Sequence, residues 1–247
     1  MADEQPILSI LMPVYNEAAR LDSAVDAVDK AIKVPFELVI VDDGSTDGST
    51  EIIRERAARH PWMVPVYRPR NGGKGAALRD ALGVAGGRLT VILDADLEYD
   101  PADLEPMMAP ILDGRATVVY GERMFGGHSA HSYWYVVGNR FVTLCTNVLF
   151  NCYIRDLMTC FKMMDLELFR SLGLRSAGFE VEAEITAKLL NRTGAAMADV
   201  PVQAADGKPF QIDFPLASLA AGEYLIQIDA KGAAGAAQQV LAFKVGS

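Results

Sequence analysis

Asp94-Ala95-Asp96 is the feature of this 247-residue chain with the clearest chemical use. Two carboxylates flank one small residue at the end of the apolar run Leu89–Leu93. Such an oxygen-only pair can share a divalent cation, Mg2+ or Mn2+. A cation there would bridge a diphosphate and neutralise a leaving group. Glu98 is close enough in sequence to join the pair. Asp42-Asp43-Gly44-Ser45-Thr46-Asp47 closes a second apolar run in the same way. Its carboxylates can accept hydrogen bonds from a base or ribose, or cap a helix. Asn71-Gly72-Gly73-Lys74-Gly75 lets a ligand approach the backbone and adds a cation, although its spacing matches neither a P-loop nor GxGxxG. Arg123, after Gly121-Glu122, can clamp a phosphate bidentately. Glu180, Glu182 and Glu184 alternate at a helix start, where the helix dipole alone favours acids. His128 and His131 lack a third neighbour and are not read as a metal site.

These groups need elements to hold them. Short apolar runs at Pro6–Val14, Phe36–Val41, Met63–Tyr67, Leu89–Leu93 and Ala116–Tyr120 read as strands. Helical spacing separates them: Leu21, Val25, Val28 and Ile32; a helix capped by Thr46 or Asp47 and reaching His60; one from Gly75 to about Ala85; and one opened by Pro101. Tyr133–Phe150 reads as a helix and Asp156–Met164 as a short strand or loop. Glu180–Leu190 reads as a helix and Ala196–Val202 as a last strand. Strand–helix alternation with short connections predicts an α/β fold with a doubly wound, mostly parallel sheet. Ligands of such sheets bind outside the carboxyl ends of the strands, where the acidic and glycine-rich motifs fall.

Composition narrows the class. The net charge of −9 argues against a protein that grips nucleic acid through a global positive field. No apolar stretch reaches the length of a membrane-spanning helix. Met1–Pro6 is short and acidic, unlike a signal peptide, so a cytoplasmic location is expected. Cys145, Cys152 and Cys160 lack metal-type spacing and read as free buried thiols in a reducing cytosol.

The order Met12-Pro13-Val14-Tyr15-Asn16-Glu17, Val41 to Asp47, Asn71 to Gly75 and Asp94 to Glu98 resembles family 2 glycosyltransferases of the GT-A fold. Gly138-Asn139-Arg140-Phe141, Asp156 to Lys162 and Phe179 to Glu184 look like the polyprenyl- or dolichyl-phosphate sugar synthase branch. The resemblance covers residues 6–202. It implies a nucleotide pocket at Pro13, Tyr15, Glu17, Gly73, Lys74 and Ala95, with Asp42 or Asp43 on the base. Asp94 and Asp96 would meet the metal and the donor diphosphate, with Glu98 as third metal-side position and Arg123 facing the phosphates. Asp156, Thr159, Lys162 and Arg140 would stand on the acceptor side.

The implied reaction is inverting transfer of a hexose from GDP- or UDP-hexose to a polyprenyl phosphate, with Mg2+ or Mn2+. A phosphate acceptor is already largely ionised near pH 7 and needs positioning more than deprotonation. A sugar or protein hydroxyl, the alternative acceptor, needs a general base, for which Glu182 and Asp156 are the candidates. The aromatic helix Tyr133–Phe150 can lie on the cytosolic membrane face beside a lipid acceptor, or pack in the core.

After Val202 the texture changes. Family members commonly continue with Tyr, Arg and Lys residues that help bind the acceptor phosphate. Here Lys208, Lys231 and Lys244 are the basic residues, without arginine. Alternation at Phe210–Phe214, Tyr224–Ile228 and Val240–Val245 predicts two or three antiparallel strands. The stretch Phe214–Tyr224 looks like the last strands of a bacterial immunoglobulin-like sandwich. Residues 1–202 are expected to form the glycosyltransferase domain, and 203–247 a fused β tail. A nucleotide-sugar-binding module impaired in transfer by that replacement is the third reading.

Overall fold

The structure, a computed structural model, describes residues 5–123, 133–192, 197–202, 222–232 and 235–245. For 122–123, 133–137, 197–202 and both C-terminal strands it describes the backbone alone. Four parallel strands form one half of the main sheet: β1 (Leu8–Val14), β2 (Phe36–Asp42), β3 (Met63–Tyr67) and β4 (Leu89–Ile92). β1, β2 and β4 are almost wholly buried, which is why they read as continuous apolar runs rather than alternating ones. The helices that return the chain are α1 (Ala18–Ala31), α2 (Ser49–Arg59) and α3 (Lys74–Val84). After β4 a single 3-10 turn, Pro101–Asp103, runs into α4 (Leu104–Leu112).

The second half contains β5 (Val118–Arg123), α5 (Tyr133–Phe150), β6 (Lys162–Asp165), α6 (Leu166–Ser171), α7 (Val181–Leu190) and β7 (Met197–Val202). The sheet order is β3-β2-β1-β4-β6-β5-β7. β6 runs antiparallel between β4 and β5, and the remaining strands share one direction. The expected mostly parallel α/β sheet is therefore present. Its strand order reverses between β1 and β4, which opens a crevice beyond their carboxyl ends.

The structure departs from the local expectations at the cap of α2 and at α6. Gly48, at φ 102°, is the residue before α2, so neither Thr46 nor Asp47 caps that helix directly. Asp47 instead accepts hydrogen bonds from the Ser49 N–H and hydroxyl at 3.0 and 2.6 Å. Its other oxygen takes the Ala18 N–H at 2.9 Å, satisfying the first turn of α1 across the loop. Asp156–Met164, expected as a short strand or loop, is loop over 156–161 and strand from Lys162. The sequence reading did not anticipate α6, which starts at Asp165, whose carboxylate accepts the N–H groups of Glu167 and Leu168.

β8 (Gly222–Gly232) and β9 (Gly235–Val245) pair antiparallel in a sheet of their own. The Phe210–Phe214 alternation and His128 and His131 lie outside the described residues. All three cysteines are free. Cys160 is buried, whereas Cys145 and Cys152 are half-buried. Among the described residues no helix is long and apolar enough to cross a membrane.

α5 is inverted relative to a core helix. Asn139 and Thr143 are buried, and Asn147, one turn further on, also faces the protein. Asn139 donates to Asp156 at 2.9 Å, the Leu157 N–H donates to Thr143, and Asn147 exchanges two 2.8 Å bonds with the Ile154 backbone. This polar ladder turns Phe141, Leu144, Val148 and Leu149 outward, at 59–79% exposure.

Candidate active site

Three loops meet at the crevice. Pro13 to Glu17 leaves β1, Asp43 follows β2, and Asp94 to Asp96 follows β4. With Asn71, Gly73, Lys74, Ala77, Gly178 and Phe179 they line a cleft of about 290 Å³. The first two loops are stitched together: the Asn16 N–H donates to Ser45 Oγ, and the Thr46 N–H donates to Asn16 Oδ1. Asp43 is 3% exposed and anchors the glycine loop. Its carboxylate accepts the Gly72 and Gly73 N–H groups at 3.0 and 2.7 Å and pairs with Arg68.

The glycines answer to close backbone packing. Gly75 and Ala76 both donate to the Ala177 carbonyl, at 2.7 and 3.2 Å. A β-carbon on Gly75 would collide with the Ser176 carbonyl, and Gly73 sits at φ 87°. The start of α3 is thus capped by the 175–178 segment. That segment is held in turn by two of the alternating glutamates. Glu180 accepts the Ala177 and Gly178 N–H groups, and Glu184 those of Arg175 and Ser176.

Glu182 points the other way and is 2% exposed. Lys74 Nζ stands 2.8 Å from Asp94 Oδ2 and 2.8 Å from Glu182 Oε1. The other Glu182 oxygen pairs with Lys162, which is wholly buried, donates to the Thr159 carbonyl and lies over the Tyr120 ring. The four charges alternate in sign from the core to the cleft.

Their environment sets their protonation. Burial disfavours the Lys74 cation, but Asp94 and Glu182 overcome it and hold the ammonium charged well above its ordinary range. Burial disfavours the Glu182 carboxylate too, yet Lys162 and Lys74 outweigh it and keep its pKa low. Asp94 is pushed up by burial and by Glu182, against Lys74. Asp96 is pushed up by burial and the Glu98 charge. Glu17 is pushed up by burial, with Asp96 adding to it against Arg20.

The mouth of the cleft therefore has carboxylates whose charge is under-compensated. Among the described residues no three His, Cys, Asp or Glu side chains are arranged as a metal site. Two cleft-facing carboxylates, Asp94 and Asp96, still fit a hard divalent ion of the kind that takes its remaining ligands from water and substrate phosphates.

The profile of glycosyl transferase family 2 matches residues 9–175. The chain belongs to this family. Undecaprenyl-phosphate 4-deoxy-4-formamido-L-arabinose transferase of Aeromonas hydrophila is 37% identical over 112 residues, 44% of this chain and 34% of that protein. The Yersinia enterocolitica protein of the same name is 33% identical over 112 residues, 43% and 34% of the two chains. The chain spans about a third of the length of these curated relatives. Among solved structures, glucosyl-3-phosphoglycerate synthase of Mycobacterium tuberculosis with Mn2+, UDP and phosphoglyceric acid superposes at TM-score 0.64. That match has 25% identity and covers 83% of this chain and 72% of that one. The same protein with Mg2+ and UDP matches at TM-score 0.60 and 25% identity, covering 83% and 73%.

In this family 2 chain the cleft gathers Pro13, Tyr15, Glu17, Asp43, Gly73, Lys74, Asp94, Ala95 and Asp96. Asp42 is not among the lining residues. It is 2% exposed, and its carboxylate accepts the Ser45 N–H at 2.9 Å and the Thr50 hydroxyl. Glu98 is exposed, with its N–H donated to Asp96 Oδ1. Arg123 ends β5 opposite Val202, and its side chain lies outside the described residues. Lys162 is buried behind Glu182, and Thr159 is buried against the Tyr99 hydroxyl. Asp156 is 3% exposed under α5, and Arg140 is exposed on that helix. Asn71, from the loop read as letting a ligand approach the backbone, also lines the cleft, whereas Ala77, Gly178 and Phe179 were not anticipated there. Phe179, 70% exposed beside Lys74, is the member whose exposed-aromatic chemistry sequence alone does not reveal.

Proposed function

We propose that the chain transfers a hexose, with inversion, from a nucleotide sugar to a polyprenyl phosphate, assisted by Mg2+ or Mn2+. The observation that carries this reading is the juxtaposition of Asp94, Asp96 and Lys74 in a cleft at the β1/β4 reversal. Support comes from the undecaprenyl-phosphate transferases to which the chain is similar, and from the structural neighbours that hold UDP with Mn2+ or Mg2+. A uridine nucleotide is accordingly the first donor to test, with GDP-hexose as the second.

An acceptor phosphate oxygen attacks the anomeric carbon as its bond to the diphosphate breaks. Asp94 and Asp96 would hold the cation, which when bound neutralises the negative charge gathering on the departing nucleoside diphosphate. Lys74 supplies a fixed ammonium on the same side. Tyr15, at 48% exposure, and Asp43 flank the space for the nucleoside.

A phosphate acceptor is supported by where Glu182 and Asp156, the two candidate bases, sit. Glu182 is buried between two lysines that favour its charged form, and Asp156 is buried under Asn139. Neither is placed to take a proton from a hydroxyl, whereas a phosphate monoester arrives ionised. The outward apolar face of α5 supports a lipid acceptor met at a membrane surface. Residues 1–202 form the transferring unit in this reading, and 203–247 an appended β segment.

The test is release of nucleoside diphosphate from UDP- and GDP-hexoses with Mg2+ or Mn2+ and a short polyprenyl phosphate. Acceptor-dependent release is expected. Absence of release with every donor, by folded protein, would sink the reading.

A further inference from the structure

Glu182 is a buried charge that the proposed reaction leaves without a direct task. It does not line the cleft, yet it is one of the two carboxylates in contact with Lys74. Its position is over-determined. One oxygen is held by Lys162, itself fixed by the Thr159 carbonyl and the Tyr120 ring. The neighbouring Glu180 and Glu184 pin the start of α7 to the 175–178 segment, and Ala177 of that segment caps α3 next to Lys74. The root and the tip of Lys74 are therefore both located from α7.

We propose that Glu182 is a positioning residue for the donor diphosphate, acting through Lys74. This rests on the nucleotide-sugar reading of the cleft. Lys74 is shared between a carboxylate that faces the ligand, Asp94, and one that faces the core. When Asp94 is drawn to a cation, Glu182 keeps the ammonium in the cleft, where an N–H freed from Asp94 can point at a diphosphate oxygen. Without the Glu182 charge, Lys74 has one anionic partner and folds fully onto Asp94. Asp94 is then neutralised and the diphosphate loses a donor. The buried pair Lys162–Glu182 sets the geometry but never touches the substrate.

The experiment compares binding of UDP and of uridine, each with Mn2+, by calorimetry on the full chain. Glu182→Gln keeps the volume and removes the charge. It should weaken UDP binding about tenfold, the size of one charge-assisted hydrogen bond, and leave uridine binding unchanged. The double variant Lys162→Gln with Glu182→Gln leaves no orphaned buried cation and covers the case in which the single variant does not fold. It should show the same selective loss. Glu182→Asp should recover part of it. Equal loss for UDP and uridine would mean that Glu182 acts through general stability, and the proposal would fail. Unchanged UDP affinity would also overturn it while leaving the nucleotide-sugar reading intact. If the unaltered protein binds neither UDP nor GDP, that reading falls and the inference falls with it.

Discussion

Lys74 stands between Asp94 and Glu182, with Nζ 2.8 Å from a carboxylate oxygen of each. The two acids are 88 residues apart in sequence, and the seating of the 175–178 segment on the start of α3 brings them to one ammonium. The cleft therefore has a counter-ion built in, fixed by the core rather than by solvent.

Loss of Asp94 or Asp96 should sharply lower turnover without unfolding the protein. Asp96→Asn is the cleaner change, because Asp94 is also tied to Lys74. Donor-dependent release of nucleoside diphosphate should fall about a hundredfold, in the range seen when one electrostatic group is taken from a reacting centre. Retained release in a protein with unchanged circular dichroism would remove Asp96 from the site.

Two glycines on α3 should respond in opposite directions. Gly75→Ala drives a methyl into the Ser176 carbonyl and should cost about 1–3 kcal/mol as overpacking. Gly83→Ala, in open space on the same helix, should gain about 0.5–1 kcal/mol from helix propensity. Thermal denaturation reads both, at about 2–4 °C per kcal/mol for a chain of this size.

Acid should loosen the 175–178 segment through Glu184. Burial alone would raise its pKa, but Lys188 and the Ser176 and Arg175 N–H groups outweigh burial and lower it to about 2. A depressed folded pKa means that the contribution is complete above the unfolded value of 4.5 and is lost as pH falls towards 2. Allowing for solvent screening, the contribution is on the order of 1 kcal/mol. Denaturant midpoints of Glu184→Gln and unaltered protein should differ at pH 6 and converge near pH 2. A constant difference across that range would contradict the assignment.

The outer face of α5 should carry membrane contact. Leu144→Ser with Val148→Ser removes two exposed apolar side chains and leaves the Asn139–Thr143–Asn147 ladder in place. Co-sedimentation with phosphatidylethanolamine–phosphatidylglycerol liposomes should fall about tenfold, from the burial energy of two aliphatic side chains. Equal sedimentation of both proteins would exclude this face as the contact.

Much of the fold was legible in order and type. β1 to β4 and α1 to α3 follow from apolar run length, turn residues and helical spacing, which are local properties of the chain. The acids after β2 and β4 announce the ligand edge for the same reason. α6 was missed because its signal is six residues long and rests on Asp165 as cap, too short for a periodic pattern. The α5 inversion is not legible in the sequence, because the apolar residues of a helix do not state whether protein or another phase will cover them.

The family, the strand–helix order, the acidic strand ends and the change of texture after Val202 are all readable from the chain's residues alone. These are encoded by neighbours a few residues apart. The tertiary structure decided which acids serve the cleft. Asp43 lines it while Asp42 braces a turn, because adjacent residues leaving a strand point to opposite sides. It also decided that Glu182 and Lys162 belong behind the cleft rather than in it. Burial made that choice: two opposite charges from α7 and β6 are held out of water by each other, a pairing that no local pattern can specify.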